Sequence, residues 1–346
     1  MTYAREHWYP AAWDHEVGRE PLARRLLDQD VVLYRTGDGR PVALQDRCCH
    51  KLLPLSKGRL VGDDLQCGYH GMTYDPTGAC VRIPGQDAIP ATARVRPYPA
   101  VDHLGLVWLW FGDADRVDRA KLFHLPQFGA DGWALNRGPH TTFRANYQHL
   151  TDNLLDPAHV SFVHAGSLGS PAHEDVPAET SERGETVTVR RWTLDSPPIP
   201  LLARFHDFGG NVDRWQYYHF TAPSIAMVDF GSGPPGMDHG DAARDAAIRI
   251  HSCHFIAPET ARTTHYFWLQ LRNFSLHDAA VSADMTEAFV GAFEEDRQIL
   301  EAVQAAEERA PGAGRVSLKI DNGPNRSRRI VRRLIEAEGG LESAAD

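Results

Sequence analysis

The chain reads as α+β: an all-β unit over residues 1–113, followed over 114–346 by an antiparallel sheet curling around helices. Three observations predict this. Short apolar runs separated by turn residues fill the first third, and the polar stretch Gly112–Arg116 interrupts them. Beyond it, long β-rich runs are bracketed by helical periodicity near residues 145–164 and 283–309.

In the first unit, Val31–Arg35 and Val42–Leu44 flank the turn Thr36–Gly39 and predict a hairpin. Met72–Tyr74 and Cys80–Ile83 flank Asp75–Gly78 in the same way, and Leu104–Phe111 predicts a buried strand. In the second unit, Thr186–Val189, Trp215–Phe220, Ile248–Ile250 and His265–Leu271 predict strands, with Pro258-Glu259-Thr260 turning between the last two. A helix at 325–338 closes the chain, and Gly231–Asp245 reads as a mobile loop beside the sheet. A sheet around a helix leaves a concave pocket between them.

At 346 residues the chain has room for about two cores, and a formal charge of -10 argues against a nucleic-acid-binding protein. The first twenty residues are broken by charges and Pro10, with no apolar run suited to a signal peptide or membrane span, so a cytoplasmic enzyme is expected. Outside the ligand motif below, Cys49, Cys80 and Cys253 are odd in number and scattered, unlike a disulfide framework.

The chain's strongest motif is Cys48-x-His50 followed by Cys67-x-x-His70. Each half lies in a loop, and Gly68 and Gly71 permit the tight backbone of the second. Two thiolates and two imidazoles suit either a structural zinc site or a Rieske 2Fe-2S cluster, which takes two Cys on one iron and two His on the other. Zinc sites commonly pair like ligands. Here each loop offers one Cys and one His, so each loop can reach both irons, which favours the cluster.

A second constellation lies in Asn153-Leu154-Leu155-Asp156-Pro157-Ala158-His159 with His164 beyond it. On an ideal helix, residues five apart diverge by roughly 140°, too far for one metal. A π-like turn, or a helix ending near Phe162, would bring them together. Two unrelated core histidines are the alternative. The distant stripe Met285, Phe289, Ala292, Asp296, Ile299 and Val303 is apolar except for Asp296. A carboxylate on a buried face must be paired, protonated or bound to a cation. His159, His164 and Asp296 would make the two-His, one-carboxylate ligand set of a non-haem Fe(II) site, the alternative being an ion pair from Asp296 to an arginine.

With both motifs, the chain resembles the catalytic subunits of Rieske non-haem iron oxygenases from end to end, closest to the vanillate O-demethylase and toluenesulfonate methyl-monooxygenase group. The segments that carry the resemblance are CCHKLLPLSKG, CGYHG, RIPGQ, DNLLDPAHVSFVH, VDRWQYYHF, APET, HYFW, RNF and FEEDRQ. It implies a Rieske domain over 1–113 and a helix-grip catalytic domain over 114–346, arranged as a homotrimer. It also implies that Cys48, His50, Cys67 and His70 hold the 2Fe-2S cluster and that His159, His164 and Asp296 hold a mononuclear Fe(II). Asn153 and Asp156 are the candidate catalytic residues beside them. Asp156 matches the acidic residue that, in the family, bridges a cluster histidine of one subunit and an iron-ligating histidine of its neighbour, so an electron would cross between subunits through His70 and Asp156. Helix capping is the plainer alternative for an Asp before Pro. Lys51 stands where the family often has Arg, and Cys49 replaces its usual Pro.

The resemblance further implies an oxygenase component fed by an NAD(P)H-dependent flavin/iron-sulfur reductase. It would use O2 for O-demethylation or methyl hydroxylation of an aromatic acid, or alternatively for ring dihydroxylation of an aromatic carboxylate. An electron-transfer ferredoxin would not need the chain beyond residue 115. His254 matches a polar pocket residue of related demethylases and is the candidate hydrogen-bond partner for the substrate anion, against an ordinary core histidine. Most of Trp215, Tyr217 and Phe267 are expected in the core. Arg326, Arg328, Arg329, Arg332 and Arg333 suggest a solvated helix face, or a surface for an acidic reductase.

Overall fold

A computed structural model describes residues 3–165 and 168–339, with the side chain of His173 left aside. The chain divides into two compact units. One comprises Met1–Leu122 with Ala257–Ala261 and Glu338–Asp346, the other Phe123–Ile256 with Arg262–Ala337.

The first unit is built from β1 (Trp8–Trp13), β2 (Leu22–Leu26), β3 (Gln29–Arg35), β4 (Pro41–Gln45), β5 (Arg59–Val61), β6 (Asp64–Gln66), β7 (Thr73–Tyr74), β8 (Cys80–Arg82), β9 (Pro97–Tyr98), β10 (Ala100–His103) and β11 (Leu106–Trp110). They form three antiparallel sheets, in the orders β1-β11-β10, β2-β3-β4-β9 and β5-β6-β7-β8. The hairpin expected around Thr36–Gly39 pairs Val31 with Gln45 through Arg35 with Pro41. Strand β11 is buried throughout, as its run of apolar residues requires. Val32, Tyr34, Leu44, Leu55, Leu65 and Tyr74 pack with Cys48 and Cys67 into one apolar cluster, so the two motif thiols sit at the edge of a core rather than on a free loop.

The second unit contains β12 (Ala134–Arg137), β13 (Thr141–Phe143), β14 (Glu179–Arg183), β15 (Thr186–Ser196), β16 (Val212–Thr221), β17 (Ile225–Gly233), β18 (Ile248–Pro258) and β19 (Thr264–Arg272). Its helices are α1 (Tyr147–Asn153), α2 (Val160–Val163), α3 (Pro200–Ala203), α4 (Asp241–Ala246), α5 (Ala279–Arg309) and α6 (Asn322–Ala337). The sheet runs β12-β19-β18-β17-β16-β15-β14, with β13 also on β19. Asp278 caps α5 by accepting from the N–H groups of Ala280 and Val281. Along α5, Phe289 meets Phe230 of β17 at 6.4 Å, and Phe293 meets Trp268 of β19 at 5.1 Å and His254 of β18 at 5.2 Å between ring centroids. One face of the sheet therefore grips the long helix.

Three expectations are corrected. The helical segment near 145–164 is two short helices, α1 and α2, separated by Leu154–His159. Residues 231–245 are not one mobile loop, because Gly231–Gly233 end β17 and Asp241 opens α4. Arg244 of α4 donates to buried Asp229 at 2.5 Å and stacks 4.2 Å over the Tyr217 ring, which fastens that helix to the outer sheet face. On α5, Ile299 and Val303 are 48% and 40% exposed, and the buried stripe continues instead through Leu300 and Gln304. At 3.6 residues per turn the stripe drifts, so steps of four replace the alternating three and four after Asp296.

Candidate metal centres and substrate pocket

The two Cys/His loops are copies of one backbone device. Cys48 donates its N–H to the Leu53 carbonyl and accepts from Leu52 N–H; Cys67 donates to Met72 and accepts from Gly71. The fifth residue of each loop is left-handed, with φ of 61° at Leu52 and 72° at Gly71. The loops meet closely: a Cβ on Gly58 would lie 2.0 Å from the Gln66 carbonyl oxygen, and one on Gly68 would lie 2.8 Å from that of Lys57. Cys48 and Cys67 are buried, whereas His50 and His70 are exposed, with ring centroids 4.7 Å apart. Burial pushes the Cys67 thiol up, so a thiolate there calls for a cation. The four candidate ligands thus sort into a buried sulfur pair and an exposed imidazole pair. A sulfur pair at the core edge and an imidazole pair facing outward fit a two-iron cluster with both Cys on one iron and both His on the other. Cys49 is exposed; its thiol and that of Cys48 each lie 3.2 Å from the Tyr74 hydroxyl.

In the second unit, α2 is a single turn with His159 at its start and His164 at its end. The chain enters from α1 through the Asp156–Pro157 break. This arrangement brings together ligands that a continuous helix would splay. Among the described residues, His159, His164 and Asp296 are the group whose ligand atoms all lie within 4.8 Å. Nε2 of His164 is 3.2 Å and Nε2 of His159 is 3.7 Å from the Asp296 carboxylate. The opposite nitrogens are engaged elsewhere. His159 Nδ1 lies 2.5 Å from the Asp156 carbonyl oxygen, and His164 Nδ1 lies 2.7 Å from Glu295 Oε2. With Nδ1 protonated toward these acceptors, both Nε2 lone pairs point to Asp296.

Asp296 is 6% exposed, and Asn153 donates its amide to the same carboxylate at 3.0 Å. Its partners among the described residues are these histidines and Asn153, so the arginine ion pair does not form. Burial works to raise the Asp296 pKa, but His164, His159 and Asn153 outweigh it and hold the carboxyl low. Burial pushes His159 down against the pull of Asp296. For His164, burial is outweighed by Asp296 and Glu295, and its pKa rises. A buried anion between two correctly turned imidazoles, with no Lys or Arg pairing, is a donor set suited to a divalent cation.

Asp156 is half-buried, and its carboxylate accepts from the Ala158 N–H at 2.8 Å while its backbone carbonyl faces His159. Burial raises its pKa. Glu295 was not legible as a site residue. It adjoins Asp296 in FEEDRQ, yet neighbours on a helix point about 100° apart, and sequence gives no reason for both to reach one imidazole.

Beside His159, His164 and Asp296 lies an apolar pocket lined by residues that include Leu168, Ile199, Tyr218, Val228, Phe230 and Phe289. Its polar lining beyond the ligands is Gln216, Ser252, His254 and the Tyr218 hydroxyl. His254 therefore lies in the pocket wall. Its Nδ1 is 2.6 Å from the Tyr266 hydroxyl and its Nε2 is 3.1 Å from Ser252 Oγ, and burial lowers its pKa to about 3. It is a neutral imidazole with both nitrogens in use. Tyr217 and Trp215 lie on the opposite sheet face, where Trp215 donates to Asp229 at 3.0 Å. On α6, Arg328 pairs with Asp152, and Arg329 and Arg333 pair with Glu182, so much of the basic stretch is engaged within the chain.

Comparisons agree with this partition. Residues 7–99 match the Rieske [2Fe-2S] domain, and residues 143–337 match the vanillate O-demethylase oxygenase C-terminal domain. The chain is 38% identical over 338 residues to a putative toluene-4-sulfonate monooxygenase system iron-sulfur subunit of Comamonas testosteroni, covering 96% of this chain and 97% of that one. It is similar to dicamba monooxygenase bound to 3,6 dichlorosalicylic acid, with a TM-score of 0.91, 29% identity, and 99% and 100% of the two chains covered. Dicamba monooxygenase with non-heme iron and dicamba is similar at a TM-score of 0.82 and 29% identity, over 98% and 99% of the two chains.

Proposed function

The chain belongs to the Rieske oxygenases with a vanillate O-demethylase-type C-terminal domain, and on that premise we propose that it oxidises a methyl or methoxy group on an aromatic acid. It is the oxygenase component of a multicomponent system that includes a reductase, and its cofactors are a Rieske 2Fe-2S cluster and a mononuclear iron. The observation that carries the reading is the convergence of His159, His164 and Asp296 at the edge of an apolar pocket. We assign these three as the iron ligands and Cys48, His50, Cys67 and His70 as the cluster ligands.

When bound, the cluster supplies single electrons and the iron supplies dioxygen activation. The protein's own residues do the rest. Asp156 and Glu295 fix the two imidazoles by their Nδ1 atoms, and Asn153 holds the Asp296 carboxylate. Phe230, Phe289, Val228 and Ile199 exclude water and face a substrate ring. A methoxy substrate, O2, two electrons and two protons give a phenol, formaldehyde and water; a methyl substrate gives an alcohol and water.

In this reading the oxygenase is a cytoplasmic homotrimer served by an NAD(P)H-dependent flavin/iron-sulfur reductase. The exposed edges of His50 and His70 support transfer to a neighbouring copy, with Asp156 as the bridge. Among the described residues no helix is long and apolar enough to cross a membrane. The test is a panel of methoxy- and methyl-benzoates and -benzenesulfonates with reductase and labelled O2. One labelled oxygen in product, with formaldehyde from methoxy compounds, is expected. A ring diol carrying two labelled oxygens, or no turnover of any acid, would overturn the assignment.

A further inference from the structure

An aromatic acid brings an anion into the protein, yet among the described residues the pocket lining contains no Lys or Arg, and His254 is held neutral with both nitrogens occupied. A cation lies one row further along the same sheet face. On β16 the side chains of Arg214, Gln216 and Tyr218 share a face, and the latter two line the pocket. Arg214 stands opposite Ser232 of β17, just as Gln216 stands opposite the pocket residue Phe230.

Arg214 is 1% exposed, and Nη2 donates to Ser170 Oγ at 3.1 Å. Its Nε and Nη1, and Oγ of fully buried Ser232, have no hydrogen-bond partner among the described residues. Among the described residues no acidic group offsets its burial; burial, then repulsion from Arg191, lowers its pKa to about 10, and it remains a cation at neutral pH. A buried guanidinium with two idle donor groups is costly unless an acceptor, best of all an anion, satisfies it. Ser170 also lies two residues beyond Leu168, another pocket residue, so the guanidinium is bounded on two sides by elements of the pocket wall.

We propose that Arg214 and Ser232 bind the carboxylate or sulfonate of the aromatic substrate, and that this pair sets the preference for acids. The proposal rests on the aromatic-acid reading above. The idle Nη1, together with the Nη2 hydrogen not given to Ser170, offers the anion a bidentate edge, and the Ser232 hydroxyl donates a third hydrogen bond. A ring anchored by this pair would direct its far substituent along the row of Gln216 and Tyr218 toward the metal ligands.

The test uses the iron-loaded holoenzyme and calorimetric titration with 4-methylbenzoate, 4-methylbenzenesulfonate and the neutral isostere 4-methylbenzamide. Arg214→Met keeps the length of the side chain, and removing an unpaired buried charge favours folding. The anion-to-amide affinity ratio should fall on the order of 10- to 100-fold in Arg214→Met, less in Arg214→Lys, and roughly 3- to 10-fold in Ser232→Ala. The Rieske EPR signal of each variant checks that it is intact. An unchanged ratio in intact Arg214→Met and Ser232→Ala enzymes would overturn the anion site, while turnover of the acids by the wild type would leave the proposed function standing. Oxidation of neutral aryl ethers by a wild type that binds no acid would overturn both the site and the acid substrate class.

Discussion

Asp296 shows how one residue can point to a cofactor. A buried carboxylate held as an anion between two imidazole nitrogens, with no Lys or Arg beside it among the described residues, is a donor set that a divalent cation would complete. Asp296→Asn should abolish iron retention while the reduced Rieske EPR signal persists, as metal analysis alongside spectroscopy would show. Glu295→Gln weakens the acceptor behind His164 and should lower iron affinity about 10- to 100-fold, read by competition with a chelator. Asp156→Asn leaves the backbone carbonyl that orients His159 in place. It should therefore keep both metals yet stop turnover, seen as a reduced cluster that fails to reoxidise with substrate and O2 present; normal turnover would remove Asp156 from the electron path. A different histidine controls acid stability. Burial lowers the pKa of His251 from 6.5 to about 4, so the unfolded chain binds more protons between those values. The stabilisation is complete above pH 6.5 and is lost as pH falls toward 4. His251→Leu should show a smaller fall in Tm between pH 7 and pH 5 than the wild type.

At the scale of elements, what sequence revealed depended on how local the constraint was. The Cys48/His50 and Cys67/His70 pairs were readable because each is contained in one loop whose turn residues are visible. The backbone match between the loops extends to the left-handed position, where one uses Gly71 and the other Leu52, and only the glycine advertises it. Gly58→Ala would drive a methyl group into the Gln66 carbonyl and should cost the cluster, measured by loss of its visible absorption. Gly18→Ala, with nothing within 4 Å, is the matched control expected to retain it. The α5 stripe was legible as far as Asp296, but helix phase accumulates error and misplaced Ile299 and Val303. Arg214 and Ser232 escaped notice because their pairing exists only in the register between β16 and β17.

At the scale of the molecule, the fold class and the sheet around a long helix could be read in advance because apolar periodicity carries them, while the two cofactors followed from the family resemblance. The pairing of segments distant in sequence could not: within the first compact unit, Leu27 and Asp28 donate to the Pro258 and Glu259 carbonyls. Such pairing is set by tertiary geometry that no local window contains. The proposed homotrimer belongs to this scale too. Sedimentation equilibrium should give three times the chain mass of 38.5 kDa, and a monomer with full activity would contradict transfer between copies.

The interruption between α1 and α2 sets a limit on how this enzyme can be made sturdier. Swapping Pro157 for a strong helix former would tempt the backbone to run straight from Tyr147 to Val163, gaining regular hydrogen bonds while swinging His159 and His164 to different sides of the cylinder. A hardier protein would then be an inert one, and thermostability campaigns on this oxygenase should leave that irregular stretch untouched.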